Sequence, residues 1–598
     1  MKLTCLLALL IINTTNLFAQ SNYPTWAEGI VWYQIFPERF ANGDSTNDPT
    51  VEKVFYNQND FPENWTISDW EGNWFEAEEW NKDKNGNIKD IYYRRYGGDL
   101  QGVLNRLDYL VDLGVEAVYF NPVFDAVSLH KYDGSTFHHI DVNFGPDPEL
   151  DNKVITSENA TDYTSWNWTS ADSLFLKLIK EFHKKNIRII IDGVFNHSGT
   201  EFWAFKDLIK KQNKSKFADW YIVHEFDNPD TEENEFNYEG WWGIKSLPEF
   251  NRNEHDLNSE VKKYIFKSVE RWMDPNGDGD PEDGVDGWRF DVAREVPLGF
   301  WNDLRKHVKG INPEAIMIGE LWELSPDFVG ENKPFDALMN YNFAFAVNDY
   351  MIADDSHKIL LPEFLEKLEK LKITYPAHSR NLLQNLLDSH DTERLSSMIK
   401  NPNRKYDQDG GANNPEYNPG KPTGEEYNRL KFITAFQFFY EGSPMIYYGD
   451  EVGMWGADDP HCRKPMLWSD LNFANEIIDG KSSFKKGFGE YTNNQNENLL
   501  NHYKQLIKVR KTNPALRSGT TKTEYIDHKK NIFAISRKND SQTVIGFFNN
   551  GNDIELKDFS NLLSEGKTFT EIYSLNEANV SQSLIYLPPN SVLILELL

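Results

Sequence analysis

Three carboxylates stand in short, unusual settings whose residue types point to chemistry. Asp291 lies in Gly287-Trp288-Arg289-Phe290-Asp291-Val292. Glu320 lies in Ile316-Met317-Ile318-Gly319-Glu320-Leu321-Trp322, and Asp391 in Asn385-Leu386-Leu387-Asp388-Ser389-His390-Asp391-Thr392. Each closes a short apolar run of strand type. A set of acids at the C-terminal ends of parallel strands is how a barrel enzyme assembles a catalytic site. A single strand-end Asp often only caps the next helix; three in order, each with its own flanks, point to a site. Arg289 is two residues before Asp291 and so shares its strand face. A fixed cation there would keep Asp291 ionised. Glu320 sits between Ile318 and Leu321-Trp322, an apolar setting that would raise its pKa.

Such acids need strands to hold them. Apolar runs at residues 30–36, 115–121, 187–192, 285–291, 315–320, 335–339, 382–388 and 444–448 read as eight strands. Amphipathic stretches at 100–113 and 173–185 read as helices between them, with Leu104, Leu107, Leu110 and Val111 on one helical face. Alternating strand and helix, eight times, predicts an α/β chain folded as a (β/α)8 TIM barrel. Residues 42–95 and 198–260 are longer than a minimal connection and rich in Trp, Asn and Asp. They read as functional loops over the barrel mouth, with 198–260 a small inserted domain after strand three. From about residue 516 the pattern changes to short β-rich runs at 532–536, 543–549, 569–573 and 592–597, broken by Asn-Gly and Pro-Pro. That predicts a C-terminal antiparallel β-sandwich over 516–598, leaving 21–515 to the barrel.

The chain has 598 residues, too many for one single-core domain. Acidic residues outnumber basic ones, 93 to 62, for a net charge of −31. Such a field disfavours nucleic acid and anionic membrane surfaces as partners, while a neutral substrate would not feel it. Aromatics reach 14% with 18 Trp, an excess that suits stacking on sugar rings beyond what a core needs. Residues 1–20 read as a secretory signal: Lys2, a nearly all-apolar run from Leu3 to Ile12, then Phe18-Ala19-Gln20 before cleavage. The apolar run is too short to span a bilayer, so an exported protein, periplasmic or secreted, is expected. Cys5 lies inside this leader, so the mature chain keeps Cys462 alone and has no intrachain disulfide.

At these residues the chain resembles the α-amylase family of glycoside hydrolases, nearest its neopullulanase and cyclomaltodextrinase branch. The likeness runs from about Gly29 to Trp468. It is carried by Tyr33-Gln34-Ile35-Phe36-Pro37-Glu38-Arg39-Phe40, Gly97-Gly98-Asp99-Leu100-Gln101-Gly102, Asp192-Gly193-Val194-Phe195-Asn196-His197 and the three carboxylate motifs. Tyr447-Tyr448-Gly449-Asp450-Glu451 and Asp459-Pro460-His461-Cys462-Arg463-Lys464-Pro465-Met466 extend it. That branch usually carries an N-terminal β-domain; here strand one begins soon after the leader, so the domain and the dimer it builds are not expected, and the oligomeric state stays open.

The resemblance implies Asp291 as nucleophile, Glu320 as acid/base and Asp391 as a transition-state stabiliser that hydrogen-bonds sugar hydroxyls. His197 and His390 would contact sugar as neutral imidazoles. Asp192 would support Arg289 or the site floor. His130 and Tyr132 match positions where a Tyr stacks on the sugar beside the cleaved bond, with core packing as the alternative. Trp241 and Trp242 fall in a loop over the acceptor side, where packing and contact are both open readings. Asn42-Gly43-Asp44-Ser45-Thr46-Asn47-Asp48 alternates oxygen donors as a hard cation needs. The resemblance implies a calcium ion held by Asn42, Asp44, Asn47, Asp48, the Gly97 carbonyl and Asp99. A second loop places Asp274, Asn276, Asp278 and Asp280 at EF-hand spacing with Gly279 at position six, but Val285 fills position twelve, so a polar turn is the alternative. Asn196 matches an amylase calcium ligand or else only orients the site.

The expected activity is therefore retaining hydrolysis of α-1,4 glucosidic bonds, alone or together with α-1,6 bonds, in starch, pullulan, cyclodextrins or maltooligosaccharides. Val292 and Glu295 match the neopullulanase pattern, whereas Arg294 replaces its usual Asn. Two alternatives share the fold: a glucanotransferase that passes the glycosyl group to another sugar, and a non-catalytic glucan binder, which the presence of all three acids disfavours.

Overall fold

The computed structural model describes residues 23–55, 61–62, 64–354, 356–407, 414–559 and 568–598. The expected leader over residues 1–20, with Cys5, lies outside them. Eight strands form the central sheet: β1 (Trp32–Ile35), β2 (Ala117–Phe120), β3 (Arg188–Gly193), β4 (Gly287–Phe290), β5 (Ile316–Gly319), β6 (Ala337–Leu338), β7 (Gln384–Asn385) and β8 (Ser443–Tyr447). All neighbours pair parallel in the order β6-β5-β4-β3-β2-β1-β8-β7. A parallel bridge from Met339 to Gln384 joins the two ends and closes the barrel. Six strands fall within an expected run, and β3 and β8 overrun theirs by one residue, Gly193 and Ser443. The runs were legible because a barrel strand is buried on both faces and so reads as continuous apolar residues. Ile189, Ile190 and Ile191 are fully buried in β3.

Strand register builds the site. Asp192 pairs opposite Arg289 across β3 and β4, and Arg289 opposite Ile318 across β4 and β5. Asp291 and Glu320 follow directly after their strands.

The helices depart from expectation in two places. The stretch 100–113 is two helices, Leu100–Asn105 and Leu107–Leu113, broken at Arg106. In the second helix Leu107, Leu110 and Leu113 are buried, but Val111 is exposed. The next helix, Ser170–Lys184, starts three residues earlier than expected, because Thr169 and Asp172 close a capping box at its N-terminus.

The first long connection builds small cores of its own, while the second packs Phe202, Phe205, Phe217 and Trp220 into the barrel's main core. Val54, Phe55, Trp65 and Trp80 form one cluster, and Trp74, Phe75 and Tyr96 meet Tyr417, Ile478 and Phe484 in another. Residues 198–260 contain the helix Trp203–Lys211 and the strand pair Val223–Glu225 and Asn237–Tyr238. The C-terminal region is a sandwich. A five-stranded antiparallel sheet, in the order Thr520–Asp527, Ile532–Lys538, Thr543–Asn549, Ser591–Leu597, Phe569–Leu575, faces a three-stranded one of Glu555–Asp558, Leu584–Leu587 and Asn579–Ser581. Ile532, Phe547 and Leu595 pack between the sheets with Ile585 and Leu587. From the other face of the large sheet, Phe533 and Phe548 pack against Phe436 of the barrel helix Gly424–Phe439. Among the described residues no helix is long and apolar enough to cross a membrane.

Candidate active site

Arg289 organises the barrel mouth. Its side chain is fully buried, with Nη1 2.9 Å from Asp291 Oδ1 and Nη2 2.8 Å from Glu320 Oε2. Nη1 also lies 2.9 and 2.8 Å from the two oxygens of Asp192. Tyr119 donates to Asp192 Oδ2 at 2.6 Å, and Tyr132 donates to the same oxygen at 3.0 Å. Asp192 therefore braces Arg289, as expected. Glu320 does not have the apolar setting the sequence suggested. Besides the ion pair, its Oε2 accepts from Val292 N–H at 3.0 Å and its Oε1 from Trp322 Nε1–H at 3.1 Å. Val292 makes this bond from φ 38°, left-handed backbone that a β-branched residue rarely adopts.

Arg289 meets Asp291 as predicted, but it does not settle that group's charge. Burial raises the Asp291 carboxyl well above the usual range, and the charges of Glu320, Asp192 and Asp391 add to it, against Arg289. Burial also raises Asp192, against Arg289 and the Tyr119 hydroxyl. Asp391 is pushed up to about 7, by burial first and then by Glu320, while Arg463 and Arg289 oppose. Acid outnumbers cation in this cluster, and that excess of negative charge adds to burial in raising Asp291, Asp192 and Asp391.

Asp391 lies 3.1 Å from Arg463 Nη2 and 3.1 Å from His390 Nε2. Gln34 Nε2 donates to Asn121 Oδ1 at 2.9 Å and lies 3.0 Å from His390 Nδ1, which places the His390 proton on Nε2. That nitrogen is 2.6 Å from the Tyr132 hydroxyl, and the two rings stack 7° from parallel at 5.4 Å. Tyr132 is thus held by its hydroxyl and one ring face, half-buried at the mouth. His130 Nδ1 accepts from Tyr132 N–H at 3.2 Å and fixes the turn that carries it. His197 Nε2 sits 3.2 Å from the Tyr132 carbonyl. Burial holds all three histidines neutral, with His197 pushed down to about 4. Trp241 stacks on His197 at 5.6 Å and Trp242 on Trp241 at 4.8 Å. Trp241 packs, while Trp242 is 80% exposed.

Asn196 orients the site: its Oδ1 accepts from Arg252, whose guanidinium also donates to the Glu295 carbonyl at 2.7 Å and pairs with Glu249. A cation already occupies the oxygen that an amylase calcium would use. Arg294 turns outward to Glu323 and to Ser325 Oγ at 2.7 Å.

The first oxygen-rich loop, 42–48 with Gly97 and Asp99, converges. Asn42 Nδ2 donates to Asp48 Oδ1 at 2.8 Å, and Gly97 packs so closely that a β-carbon there would strike Asp48. Asp99 accepts from the N–H groups of Gly43, Asp44 and Gly102 and from Asn47 Nδ2. Asn47 Oδ1 is buried with no hydrogen-bond partner. Burial raises Asp48 to about 6, with Asp99, Glu38 and Asp44 adding, and burial raises Asp99 to about 6. An orphaned oxygen beside two proton-retaining carboxylates suits a hard dication. Asp44 is the member placed differently: its side chain caps Ser45–Asn47 through Thr46.

The second loop is a ladder of turns. Asn276 Oδ1 accepts from Asp278 N–H, Asp278 Oδ1 from Asp280 N–H and Asp280 Oδ1 from Glu282 N–H. Asp274 Oδ2 accepts from Gly279 N–H, leaving its Oδ1 buried without a partner. Val285 is fully buried in the core and supplies no ligand. Asp283 Oδ1 is a second buried orphan beside Asp274, and sequence spacing did not single it out. Arg463, Trp322, Gln34 and Asn121 were also missed as site residues. Arg463, Trp322 and Gln34 lay inside the family motifs, and a buried cation beside a strand-end acid was the available signal.

Comparison with known proteins follows this geometry. The family model for the α-amylase catalytic domain matches residues 34–161 and 159–519. Neopullulanase 2 of Thermoactinomyces vulgaris is 33% identical over 94% of this chain and 76% of its own. A cyclomaltodextrinase of Bacillus sp is 33% identical over 90% of this chain and 75% of its own. Among solved structures, the cyclic α-maltosyl-(1→6)-maltose hydrolase of Arthrobacter globiformis superposes with TM-score 0.69 at 25% identity, covering 96% of this chain and 99% of that one. With the closed barrel and its ring of acids, these matches establish that the chain belongs to the α-amylase family of glycoside hydrolases.

Proposed function

We propose that the chain cleaves α-1,4 and α-1,6 glucosidic bonds with retention, by double displacement, in short or cyclic α-glucans. The observation that carries this is one guanidinium holding Asp291 on Nη1 and Glu320 on Nη2. It fixes the two carboxyls as a close pair, and retention needs a separation of about 5 Å. Asp291 attacks the anomeric carbon. Glu320 gives a proton to the leaving oxygen and later takes one from water. Asp391 and His390 hydrogen-bond the ring hydroxyls, and Tyr132 presents its free face to the sugar. The named relatives act on pullulan, cyclomaltodextrin and a cyclic maltosyl-maltose, which supports that substrate class.

Product chromatography on pullulan, starch and γ-cyclodextrin, with Asp291→Asn alongside, tests this reading. Panose or ring-opened maltooligosaccharides should appear with wild type and drop by roughly 10⁴-fold or more in the variant. Cleavage of starch alone, to mixed internal fragments, would sink the specificity. Equal inertness of both proteins would sink the catalytic assignment.

Calcium in the 42–99 loop and in the 274–283 loop, and export directed by residues 1–20, belong to the same proposal. Asn42, Asn47, Asp48, the Gly97 carbonyl and Asp99 would hold the first ion, stiffening the segment below the mouth. Asp274, Asn276, Asp278, Asp280 and Asp283 would hold the second. N-terminal sequencing of protein recovered outside the cytoplasm tests export; a mature chain still beginning at Met1 would refute it.

A further inference from the structure

A cluster outside the barrel mouth has the makings of a transition-metal site. His138 and His139 lie in the loop after β2, and Glu158 follows the helix Pro148–Ser157. Their side chains are 3%, 0% and 1% exposed. Among the described residues they are the one trio of His, Cys, Asp or Glu whose ligand atoms all fall within 4.8 Å. Glu158 Oε2 is 2.9 Å from His139 Nε2 and 3.6 Å from His138 Nε2. Ligands about 2.0–2.1 Å from a tetrahedral ion stand about 3.4 Å apart, so the two separations bracket that spacing.

The outer atoms are tied as metal-bound imidazoles require. His139 Nδ1 is 2.8 Å from Asp172 Oδ2, a carboxylate–histidine pair that orients the ring. Asp172 is itself fixed by Ile140 N–H at 2.8 Å and Arg271 Nη2 at 3.2 Å. His138 Nδ1 is 2.7 Å from both the Thr136 and the Tyr264 hydroxyls, and Trp166 stacks on its ring at 3.9 Å. Glu158 Oε1 is taken by Asn167 Nδ2 at 3.1 Å, leaving Oε2 for the histidines. Two Nε2 atoms and one carboxylate oxygen therefore converge from side chains whose far ends are already satisfied. Burial pushes His138 down to about 3, so its ring is neutral. Burial would also lower His139, but Asp172 and Glu158 outweigh it and raise it.

We propose that His138, His139 and Glu158 bind one first-row divalent cation of the zinc class, separate from the calcium loops. Two imidazoles and a single carboxylate are the wrong donors for calcium and the right ones for zinc or cobalt. Binding displaces the proton from His139 Nε2 to solvent. The ion would pin the segment around Glu158 to the loop that, a few residues upstream, carries His130 and Tyr132.

The test uses full-length protein stripped with chelator and returned to calcium. Titration with Co2+ should give one equivalent with the intense visible bands of a tetrahedral site, bleached by Zn2+. Stoichiometric Zn2+ should raise the melting temperature by several degrees. Glu158→Gln keeps the side chain's shape and His138→Gln is a second probe; circular dichroism confirms their fold, and both should lose band and shift. Folded wild type with neither response, or the same equivalent retained in both variants, would overturn the proposal and leave His139 as a protonated bridge between two carboxylates.

Discussion

Nη1 of Arg289 sits between both oxygens of Asp192, at 2.9 and 2.8 Å, and neither side chain exposes any surface. Removing Asp192 leaves the buried Tyr119 hydroxyl and Arg289 Nη1 short of an acceptor, while Asp291 and Glu320 still balance the guanidinium. Asp192→Ala should therefore lose about 1–3 kcal/mol in urea unfolding. Asp192→Asn, which can still accept from Tyr119, should lose less. An Ala variant within experimental error of wild type would show that Asp291 and Glu320 alone satisfy Arg289.

Tyr132 separates hydroxyl from ring. Tyr132→Phe loses the bonds to His390 and Asp192 and should cost about 1 kcal/mol of stability while keeping most activity. Tyr132→Ala also loses the stacking face and should reduce kcat/KM on maltotriose roughly tenfold or more. Equal kinetics for the two variants would make Tyr132 a packing residue.

Asp391 sets a pH dependence. An unfolded Asp releases its proton near 4, whereas the folded group holds it to about 7. Between these values the folded state binds more protons, so this group's contribution favours folding fully below pH 4 and is lost as pH rises towards 7. Calorimetry from pH 4 to 7 should show a shallower decline for Asp391→Asn than for wild type. Parallel declines would mean that another group titrates.

The first calcium loop should bind its ion more weakly in acid. Asp48 and Asp99 hold protons up to about 6, and those protons compete with the cation. Calorimetric titration should give a lower affinity at pH 5 than at pH 7.5, with Asp48→Asn flattening the difference. Chelator should lower the melting temperature, and calcium should restore it. A melting temperature indifferent to both would remove this ion from the proposal.

Trp242 offers a nearly neutral substitution for stability. Being 80% exposed, its change to Ala should move stability by less than about 0.5 kcal/mol. If its face meets substrate, kcat/KM on longer oligosaccharides should fall by roughly two- to tenfold. Unchanged kinetics across chain lengths would make its exposure incidental.

The barrel and its acids were legible because burial on both strand faces writes itself as apolar runs, and a charge at the end of such a run stands out. Long-range partners left no such mark. Arg463 meets Asp391 across 72 residues, and nothing local to either predicts it. Arg106 breaks the stretch 100–113 by backbone geometry that propensity does not reveal, and Val111, expected on the inner face with Leu107 and Leu110, is exposed. Glu320 was read from its apolar sequence neighbours, yet its charge partners come from β4 and from the backbone of Val292. His138, His139, Glu158 and Asp172 come together only once the β2 loop folds over the helix Ser170–Lys184.

The C-terminal sheet has apolar residues on both faces. Ile532 and Phe547 look into the sandwich, while Phe533 and Phe548 look onto Phe436 of the barrel. This region is therefore no detachable module. A truncated barrel would bare Phe436 and Phe439, and the liberated sandwich would carry a sticky aromatic wall into water. Evolution or an engineer can exchange such a unit only by recutting both sides of the joint together.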